Sequence, residues 1–232
     1  MKILALETSA VAASVAVCDN EELIAQSFQR TGLTHSATLM PMVDSLLANT
    51  GFYLSQIDLI AVAAGPGSFT GLRIGVAAAK GLAWSSDKPC AGVSTLEAMA
   101  WQLCGMNGII CAAMDARRQQ VYNALFEMKD GFPVRMTPDR AISLADLQEE
   151  LSNVKKNQIV VGDGAFLCYN AFQKSGFPVK MAPAHLQFQS AWGVARCALE
   201  MSRKGDLTDA AGLIPNYHRL SQAERERLAK QQ

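Results

Sequence analysis

The sequence predicts an α/β protein with two lobes, each built from a mixed sheet flanked by helices. Short apolar segments rich in β-branched residues alternate with segments of helical periodicity, which is typical of sheets covered by helices. A strand that ends in Glu7, a turn and a returning strand over 12–18 recur as a strand that ends in Asp115, a turn and a returning strand over 120–127. This internal repeat favours two lobes, although two similar hairpins arising by chance is an alternative. The 232 residues exceed the roughly 150 of a typical domain.

Five strands and three helices are predicted in the first lobe. Turn residues such as Asp19-Asn20 and Gly65-Pro66-Gly67-Ser68 separate the elements. The last helix begins at Ser94, and Glu97 stands where a capping box requires it. In chain order the elements are strands 3–6, 12–18 and 23–28, helix 34–50, strand 57–64, helix 69–84, strand 89–93 and the helix opened by Ser94.

The second lobe repeats the opening hairpin and then alternates helices with a strand. Its elements are strands 109–114 and 120–127, helix 143–151, strand 158–161, a turn at Gly162-Asp163-Gly164, and helices 165–174 and 191–201. We expect the first lobe to span residues 1–104 and the smaller second lobe residues 105–211. The C-terminal segment 212–232, with a solvated helix over 221–232, is expected to complete the first lobe.

Composition and charge exclude several classes of protein. Half of the residues are hydrophobic and 18% are charged, so the chain is a well-packed globular protein rather than a disordered one. Lysine plus arginine and aspartate plus glutamate both number 21, and no net field attracts nucleic acid or an anionic membrane. Because little like-charge repulsion separates copies of a neutral chain with mean hydropathy +0.09, we expect self-association or a partner.

Cysteine and histidine usage favours a protein of the reducing cytosol without a metal. The six cysteines form no C-x-x-C motif and are expected to be buried thiols. The three histidines, His35, His185 and His218, lack the spacing of zinc hydrolases. Met1 leads directly into a strand, and no apolar run approaches 18 residues. A cytoplasmic location with no membrane contact is therefore the expectation.

The stretch from Gly65 to Gly75 is rich in glycine and lies between a strand and a helix. Such a turn can aim backbone N–H groups at a phosphate. However, no Gly-Lys-Ser/Thr follows, and Thr70 stands where G-x-G-x-x-G requires its third glycine. Anion binding and a purely structural turn both remain open at this point.

The helices over 34–50 and 69–84 have wider apolar arcs than one lobe needs. A covering helix normally shows one face to solvent, whereas the second of these is apolar nearly all round and carries only Arg73 and Lys80 as charges. Small residues permit close helix crossings. We therefore predict a helix-to-helix protein interface, with burial inside one large domain as the alternative. The predicted interface residues are His35, Leu39, Met42, Val43, Leu46, Gly71, Arg73, Ile74, Gly75, Ala78, Lys80, Gly81 and Leu82.

Acidic residues end both repeated strands. Paired acids across a cleft hold nucleotide and metal in actin-like and sugar-kinase ATPases, but a lone strand-end acid is more often a turn cap. Arg117-Arg118 follows the second acid and would crowd a triphosphate. The candidates for a vestigial nucleotide site are Glu7, Thr8, Ser9, Asp115, Gly162 and Gly164. No convincing Ser-His-Asp or Cys-His constellation accompanies them, and no catalytic residue is predicted.

Five motifs distributed along the whole chain form a recognisable set. They are Ala5-Leu6-Glu7-Thr8-Ser9; His35-Ser36; the stretch 65–75 with Ala79-Lys80-Gly81-Leu82-Ala83; Met114-Asp115-Ala116-Arg117 before Val121-Tyr122; and Pro215-Asn216-Tyr217-His218-Arg219. Together they resemble the bacterial TsaB (YeaZ) family. Two departures are Glu7, where that family usually has aspartate, and His218, where leucine is common. The first weakens the case for a phosphate site in the first lobe.

The resemblance implies an actin-like fold and a non-catalytic role. Members of the family support TsaD, which transfers threonylcarbamoyl onto adenosine 37 of tRNA, together with the ATPase TsaE. It implies that the two N-terminal helices contact TsaD, that the isolated chain is a homodimer through the same face, and that tRNA is contacted only indirectly. No cofactor is implied, apart from an adenine nucleotide at the subunit junction as an option. The alternatives are an autonomous ATP-dependent phosphotransferase or glycoprotease-like enzyme, and a stand-alone tRNA-binding module. The absence of an aromatic-basic stripe in the sequence argues against the last.

Overall fold

The computed structural model describes residues 1–218. The first lobe is a five-stranded mixed sheet in the order β3-β2-β1-β4-β5, and every predicted element of this half of the chain is present. The elements are β1 Lys2–Glu7, β2 Ala13–Asp19, β3 Glu22–Gln29, α1 His35–Thr50, β4 Leu59–Gly65, α2 Phe69–Ser86, β5 Cys90–Ser94 and α3 Thr95–Trp101. The predicted helix over 221–232 lies outside the described residues.

The second lobe is a six-stranded sheet in the order β11-β10-β6-β7-β8, and β9 also pairs with β7. The elements are β6 Ile109–Asp115, β7 Gln120–Lys129, β8 Phe132–Arg135, β9 Arg140–Ser143, α4 Leu144–Ser152, β10 Gln158–Val161, α5 Ala165–Lys174, β11 Lys180–Met181 and α6 Ala191–Lys204. Strands β8, β9 and β11 were not predicted. They have two to four residues each, which is too few for an alternating pattern to emerge.

The predicted repeat is present in the two sheets. β1 pairs antiparallel with β2 and parallel with β4, and β6 pairs antiparallel with β7 and parallel with β10. Glu7 and Asp115 therefore occupy equivalent positions at the ends of equivalent strands. The core strands are apolar throughout because helices cover both faces of each sheet; every residue of β4, for example, is buried.

Each half of the chain contributes one helix to the sheet of the other half. Helix α6 covers one face of the first sheet, where its Val194 and Ala198 pack with Ile3 and Ala5. Conversely α3 packs on the second sheet, where Met99 joins a core cluster with residues of β6 and β7. The place of 191–201 in the sequence predicts a helix of the second lobe, whereas α6 packs on the first sheet. The boundaries 1–104 and 105–211 themselves stay a prediction.

The described part of the C-terminal segment lies on the first lobe. Leu213 belongs to the core between the first sheet and the helices α1 and α2. Asn216 N donates to Ala64 O at 2.7 Å. The predicted cap of α3 is half formed: Ser94 Oγ accepts from Glu97 N at 3.1 Å, while the Glu97 carboxylate pairs with Arg135 at 2.7 Å.

Five of the six cysteines are buried, as expected, and Cys104 is exposed. Burial raises the pKa of the Cys18 and Cys168 thiols to about 12. No helix within residues 1–218 has the length and apolarity needed to cross a bilayer.

Candidate functional site

A cavity of about 650 Å³ lies in the cleft between the two lobes. The turn after β1, the loop before α2, the turn after β6, the beginning of α5 and the segment Asn216 to His218 line it. Of the predicted nucleotide-site residues, Ser9 and Asp115 line this cavity, from the first and the second lobe respectively. The strand-end turns of the repeat therefore face each other across the cleft.

The turn after β1 is closed on itself and on the loop before α2. The Glu7 carboxylate Oε1 accepts from Ser9 N at 2.5 Å, and Ser9 O accepts from Ser68 N at 2.6 Å. Glu7, Thr8 and Ser9 are all fully buried. A Cβ atom on Gly67 would lie 2.8 Å from Cβ of Ser9, so only glycine allows the loop to lie this close to the turn.

Burial dominates the chemistry of Glu7. It raises the pKa of this carboxyl from 4.5 to about 7; hydrogen bonds from Ser9 lower the pKa in part, and the charge of Asp163 adds to the rise. Its second oxygen, Oε2, has no hydrogen-bond partner within residues 1–218. Glu7 is thus a buried turn cap beneath the cleft rather than a carboxylate presented to it.

The equivalent turn of the second lobe has another character. Asp115 Oδ1 accepts from Arg117 N at 2.7 Å, and Oδ2 lies 3.4 Å from the Arg117 guanidinium, whose side chain is 85% exposed. Arg117, Arg118 and Gln119 have φ values of +66°, +56° and +58°. Three consecutive non-glycine residues in the left-handed region are costly for L-amino acids. The turn therefore holds Arg117 at the cavity, with the exposed Arg118 next to it, in a strained conformation.

The predicted glycines Gly162 and Gly164 serve packing. Gly162, with φ +107°, lies where a Cβ would meet the sulfur of Met99 at 2.8 Å, and a Cβ on Gly164 would lie 2.7 Å from Met114 C. Their N–H groups donate to Gln187 O and Ala113 O at 2.8 and 3.0 Å. Neither glycine lines the cavity.

Between these glycines, Asp163 lines the cavity. Gln189 Nε2 donates to its Oδ1 at 2.9 Å. Burial raises the pKa of Asp163, opposed by the hydrogen bond from Gln189. The sequence singled out the turn that carries Asp163 but not this side chain.

Five backbone N–H groups of the candidate turns are engaged within the chain. A phosphate site needs backbone N–H groups that point outward at the end of a turn or helix. Here Ser9 donates to Glu7, Ser68 to Ser9, Gly71 to Ser68, Gly162 to Gln187 and Gly164 to Ala113. No group of three or more His, Cys, Asp or Glu side chains within residues 1–218 is arranged to hold a metal ion.

The predicted helix interface needs correction at α1. Leu39, Met42, Val43 and Leu46 are between 1% and 7% exposed and belong to the core cluster between the first sheet and its outer helices. They fill the chain's own core and present no surface to a partner. The wide apolar arc of α1 is buried within the chain because this helix packs on β2, on β3 and on α2. His35 is half-buried, and its Nε2 lies 2.7 Å from Ala10 O.

Gly71 and Gly75 need the same correction. A Cβ on either residue would collide with Thr8, at its carbonyl oxygen for Gly71 and at its Oγ1 for Gly75. Thr8 Oγ1 in turn donates to Gly71 O at 2.8 Å. These glycines let α2 lie against the turn after β1, so a substitution at Gly75 would perturb the fold before any partner.

The charges of α2 are held by the C-terminal segment. Lys80 Nζ donates to the carbonyl oxygens of Ala211 and Leu213 at 3.2 and 3.1 Å. Arg73 Nε donates to Tyr217 Oη at 3.1 Å, and the ring of Tyr217 stacks on Phe69 at 4.5 Å. These contacts span more than 130 positions in sequence, so spacing along the helix could not reveal them.

One face of α2 remains exposed. Among the predicted interface residues, Gly81 is exposed and Ile74, Ala78 and Leu82 are partly exposed. Two further residues that the sequence argument missed share this face: Ala77, which is exposed, and Trp84, whose side chain is 78% exposed. An exposed tryptophan beside small residues on a helix is an apolar surface typical of protein contacts.

Comparison with known proteins identifies the family. The family model described as "TsaD: tRNA N6-adenosine threonylcarbamoyltransferase" matches residues 10–226. A Bacillus subtilis protein named tRNA threonylcarbamoyladenosine biosynthesis protein TsaB is 34% identical over 233 aligned residues, which cover 97% of this chain and 96% of the relative. The chain belongs to the TsaB family.

Solved structures confirm the fold. YeaZ from Pseudomonas aeruginosa superimposes with a TM-score of 0.77 at 25% identity, covering 93% of this chain and 99% of that one. Component A of (R)-2-hydroxyglutaryl-CoA dehydratase from Acidaminococcus fermentans gives a TM-score of 0.51 at 12% identity, over 89% of this chain and 99% of that one. The second likeness shows the fold alone. The predicted actin-like arrangement of this TsaB-family chain, two mixed sheets flanked by helices, is confirmed.

Proposed function

We propose that the chain acts in the biosynthesis of threonylcarbamoyladenosine in tRNA as a non-catalytic partner subunit of a TsaD-type transferase. Its relative in Bacillus subtilis carries that biosynthesis in its name. A TsaE-type ATPase is the second expected partner, and the cytoplasm is the expected location. The observation that carries the proposal is the exposed apolar face of α2 on a chain whose candidate nucleotide turns are closed by internal hydrogen bonds.

The α2 face, defined as Ile74, Ala77, Ala78, Gly81, Leu82 and Trp84, is the proposed contact with the transferase. A helix of the partner could approach closely at Ala77 and Gly81, because a Cβ at Gly81 would meet nothing within 4 Å in this chain. Trp84 would supply the large buried anchor that most interfaces contain. Without the transferase, the same face is expected to pair two copies of the chain into a homodimer.

The closed turns favour a subunit without phosphotransfer chemistry of its own. In the actin-like ATPases, phosphoryl transfer requires phosphates held by backbone donors and a metal. Here Glu7 is fully buried and the donors of its turn are engaged. ATP hydrolysis by the purified chain alone, lost in the variant Glu7→Ala, would support an autonomous enzyme instead.

Reconstitution of the modification reaction tests the proposal. A TsaD-type transferase, a TsaE-type ATPase and this chain are mixed with tRNA, the substrates of the reaction and ATP, and threonylcarbamoyladenosine is measured by mass spectrometry of the nucleosides. The expected result is product only when the chain is included. Equal product without the chain would refute the role.

A matched pair of variants tests the surface. Ala77→Arg places a charge in the α2 face and is expected to abolish product formation, because an unpaired buried charge opposes association. Ala145→Arg is the control, since Ala145 is an exposed alanine on α4 of the second lobe. It should leave product formation unchanged. Full product with Ala77→Arg would exclude the α2 face as the contact.

A further inference from the structure

The mouth of the cleft combines exposed cations with exposed aromatic rings. Arg30, which follows β3, and Arg117, in the turn after β6, line the cavity from opposite lobes. Arg118 is exposed next to Arg117. None of these arginines lies within a helix or a strand, and they come together only because the two lobes face each other.

Aromatic side chains line the same cavity as Arg30 and Arg117. Phe166 at the beginning of α5 is 55% exposed and Tyr217 is 40% exposed, and both line the cavity. The Arg30 guanidinium lies 4.2 Å from the ring centre of Phe188, which is half-buried. Ring faces next to guanidinium groups are the combination on which unstacked bases rest in single-strand binding sites.

The cleft also contains a hydrogen-bond acceptor. Asp163 has one oxygen bound by Gln189, and it lines the same cavity as Arg30 and Arg117. A carboxylate in this position can accept from the exocyclic amino group of a base. The cavity, at about 650 Å³, falls within the usual range for small-ligand sites.

We propose that this cleft receives an unstacked nucleotide of a single-stranded RNA segment, with its base against the aromatic rings and the neighbouring phosphates at Arg30 and Arg117. This inference rests on the proposed function, in which RNA is the substrate of the complex. It also revises the expectation that the chain contacts tRNA only indirectly. The sequence showed no aromatic-basic stripe because these residues come from five separate segments between positions 30 and 217.

The geometry favours an RNA strand over two other anionic ligands. A free nucleoside triphosphate needs phosphate donors inside the cleft, and the backbone N–H groups of Ser9, Ser68, Gly71, Gly162 and Gly164 are engaged within the chain. The cations are at the rim instead, where a strand's backbone would pass while one base enters. An acidic protein segment would use the arginines but would leave the aromatic rings without a stacking partner.

Fluorescence anisotropy with a labelled single-stranded oligoribonucleotide of about 12 nucleotides tests the proposal on the full-length chain. The titration is repeated between about 50 and 200 mM salt. Binding is expected to weaken with salt. In the double variant Arg30→Gln and Arg117→Gln, the slope of log affinity against log salt should fall by about 1.4, since each phosphate contact of a single strand contributes roughly 0.7.

The contribution of the aromatic rings is tested with Phe166→Ala, which should weaken RNA binding about tenfold through lost stacking. The matched control is Phe132→Ala on β8, whose side chain is 50% exposed and lies outside the cavity. Lys155→Gln, at another exposed site away from the cavity, controls for the arginine changes. Both control variants should bind as the natural chain does. Phe166→Leu, which keeps an apolar side chain without a ring, serves if Phe166→Ala alters the thermal unfolding midpoint.

Several outcomes would overturn the proposal. They are no RNA binding at any salt concentration, RNA binding that the cleft variants leave unchanged, displacement of the RNA by ATP at an affinity equal to that of the oligonucleotide, and equal competition by polyglutamate. The first two exclude the site, the third makes it a mononucleotide site, and the fourth a site for acidic protein segments.

Failure of this inference and failure of the proposed function give different results. Phe166→Ala should still bind the transferase, whereas Ala77→Arg should not. Absence of RNA binding by the natural chain, with its transferase binding intact, would overturn the cleft proposal alone. Absence of transferase binding by the natural chain would overturn the proposed function, whatever the RNA titrations show.

Discussion

Glu7 ends β1 with a carboxyl group that the fold buries completely. Its pKa of about 7 in the folded chain, against 4.5 when solvated, makes the free energy of unfolding depend on pH. Between these two values the folded state holds a proton that the unfolded state has released, so stability falls as pH rises through this window. The loss amounts to about 3 kcal/mol once the pH exceeds the folded pKa.

Replacing Glu7 by glutamine removes this ionisation. The variant Glu7→Gln should gain stability relative to the natural chain as the pH is raised from about 5 to about 8. Urea unfolding at a series of pH values measures the difference. A constant difference across the series would show that Glu7 does not titrate in this range.

Two glycines of α2 have opposite roles. Gly75→Ala should lower the free energy of unfolding by about 2 kcal/mol, because its Cβ would meet Thr8 and approach Val62 Cγ2 to 3.2 Å. Gly81→Ala should raise it by up to about 1 kcal/mol, because Gly81 is exposed and its Cβ has open space. Chemical denaturation of both variants checks the pair. Equal effects would mean that α2 does not lie against the turn after β1.

The individual residues of the cleft were predicted from the sequence only in part. Ser9 and Asp115 were placed in the cleft by the strand repeat, which is a local signal. The roles of Gly71 and Gly75 were misjudged because composition along a helix shows where small residues are needed but not which neighbour needs them. Arg30, Phe166 and Phe188 carry no local signal, since only the meeting of the two lobes makes them neighbours.

The C-terminal segment and α2 form a contact between distant elements. Lys80 holds two carbonyl oxygens of this segment, while Arg73 and Phe69 hold Tyr217. Both charged residues were predicted to face a partner. The structure assigns them to an internal contact that positions Asn216 and Tyr217 at the cleft.

Loss of the Lys80 contact should loosen this segment. In Lys80→Met the amide of Asn216, which donates to Ala64 O, should exchange its hydrogen about thirtyfold faster, since two hydrogen bonds of roughly 1 kcal/mol each are lost. Hydrogen exchange followed by mass spectrometry measures this rate. Lys88→Met, which removes a single bond to Ser55 O, is the control and should leave Asn216 unchanged. Unaltered exchange in Lys80→Met would mean that other contacts hold the segment.

The elements themselves were predicted well where the apolar period is long. The sequence located α2 and α5 because each combines a helical apolar period with a glycine-bearing turn at its beginning. It located the four-residue strand β10 because an apolar run ends there at the turn Gly162-Asp163-Gly164. The edge strands β8 and β9 escaped prediction because pairing with β7, rather than their own pattern, makes them strands.

In the whole molecule the lobes depend on each other through the exchanged helices. Ala191 N donates to Ser14 Oγ at 3.1 Å and Trp192 N to Gln26 Oε1 at 3.2 Å, so α6 begins on the first sheet. A sequence read in order divides the chain into halves, and no local signal tells which sheet a helix covers. This is why the lobes could be predicted but the exchange could not.

The dependence of the first sheet on α6 can be tested with a fragment of the chain. Residues 1–104 alone lack α6, which would leave Ile3, Ala5 and Ala16 open to water on the inner face of the first sheet. The fragment should show no cooperative thermal unfolding, whereas the full-length chain should unfold in one transition by circular dichroism and by tryptophan fluorescence. Cooperative unfolding of the fragment would contradict the interdependence of the lobes.

Calorimetric titration of the chain into a TsaD-type transferase measures whether the α2 face binds that partner. We expect saturable binding of one chain per transferase with a negative heat-capacity change, since apolar surface of the α2 face is buried. Ala77→Arg should abolish the heat of binding, while Ala145→Arg should preserve it. No heat from the natural chain, or equal heats from all three proteins, would refute binding through the α2 face.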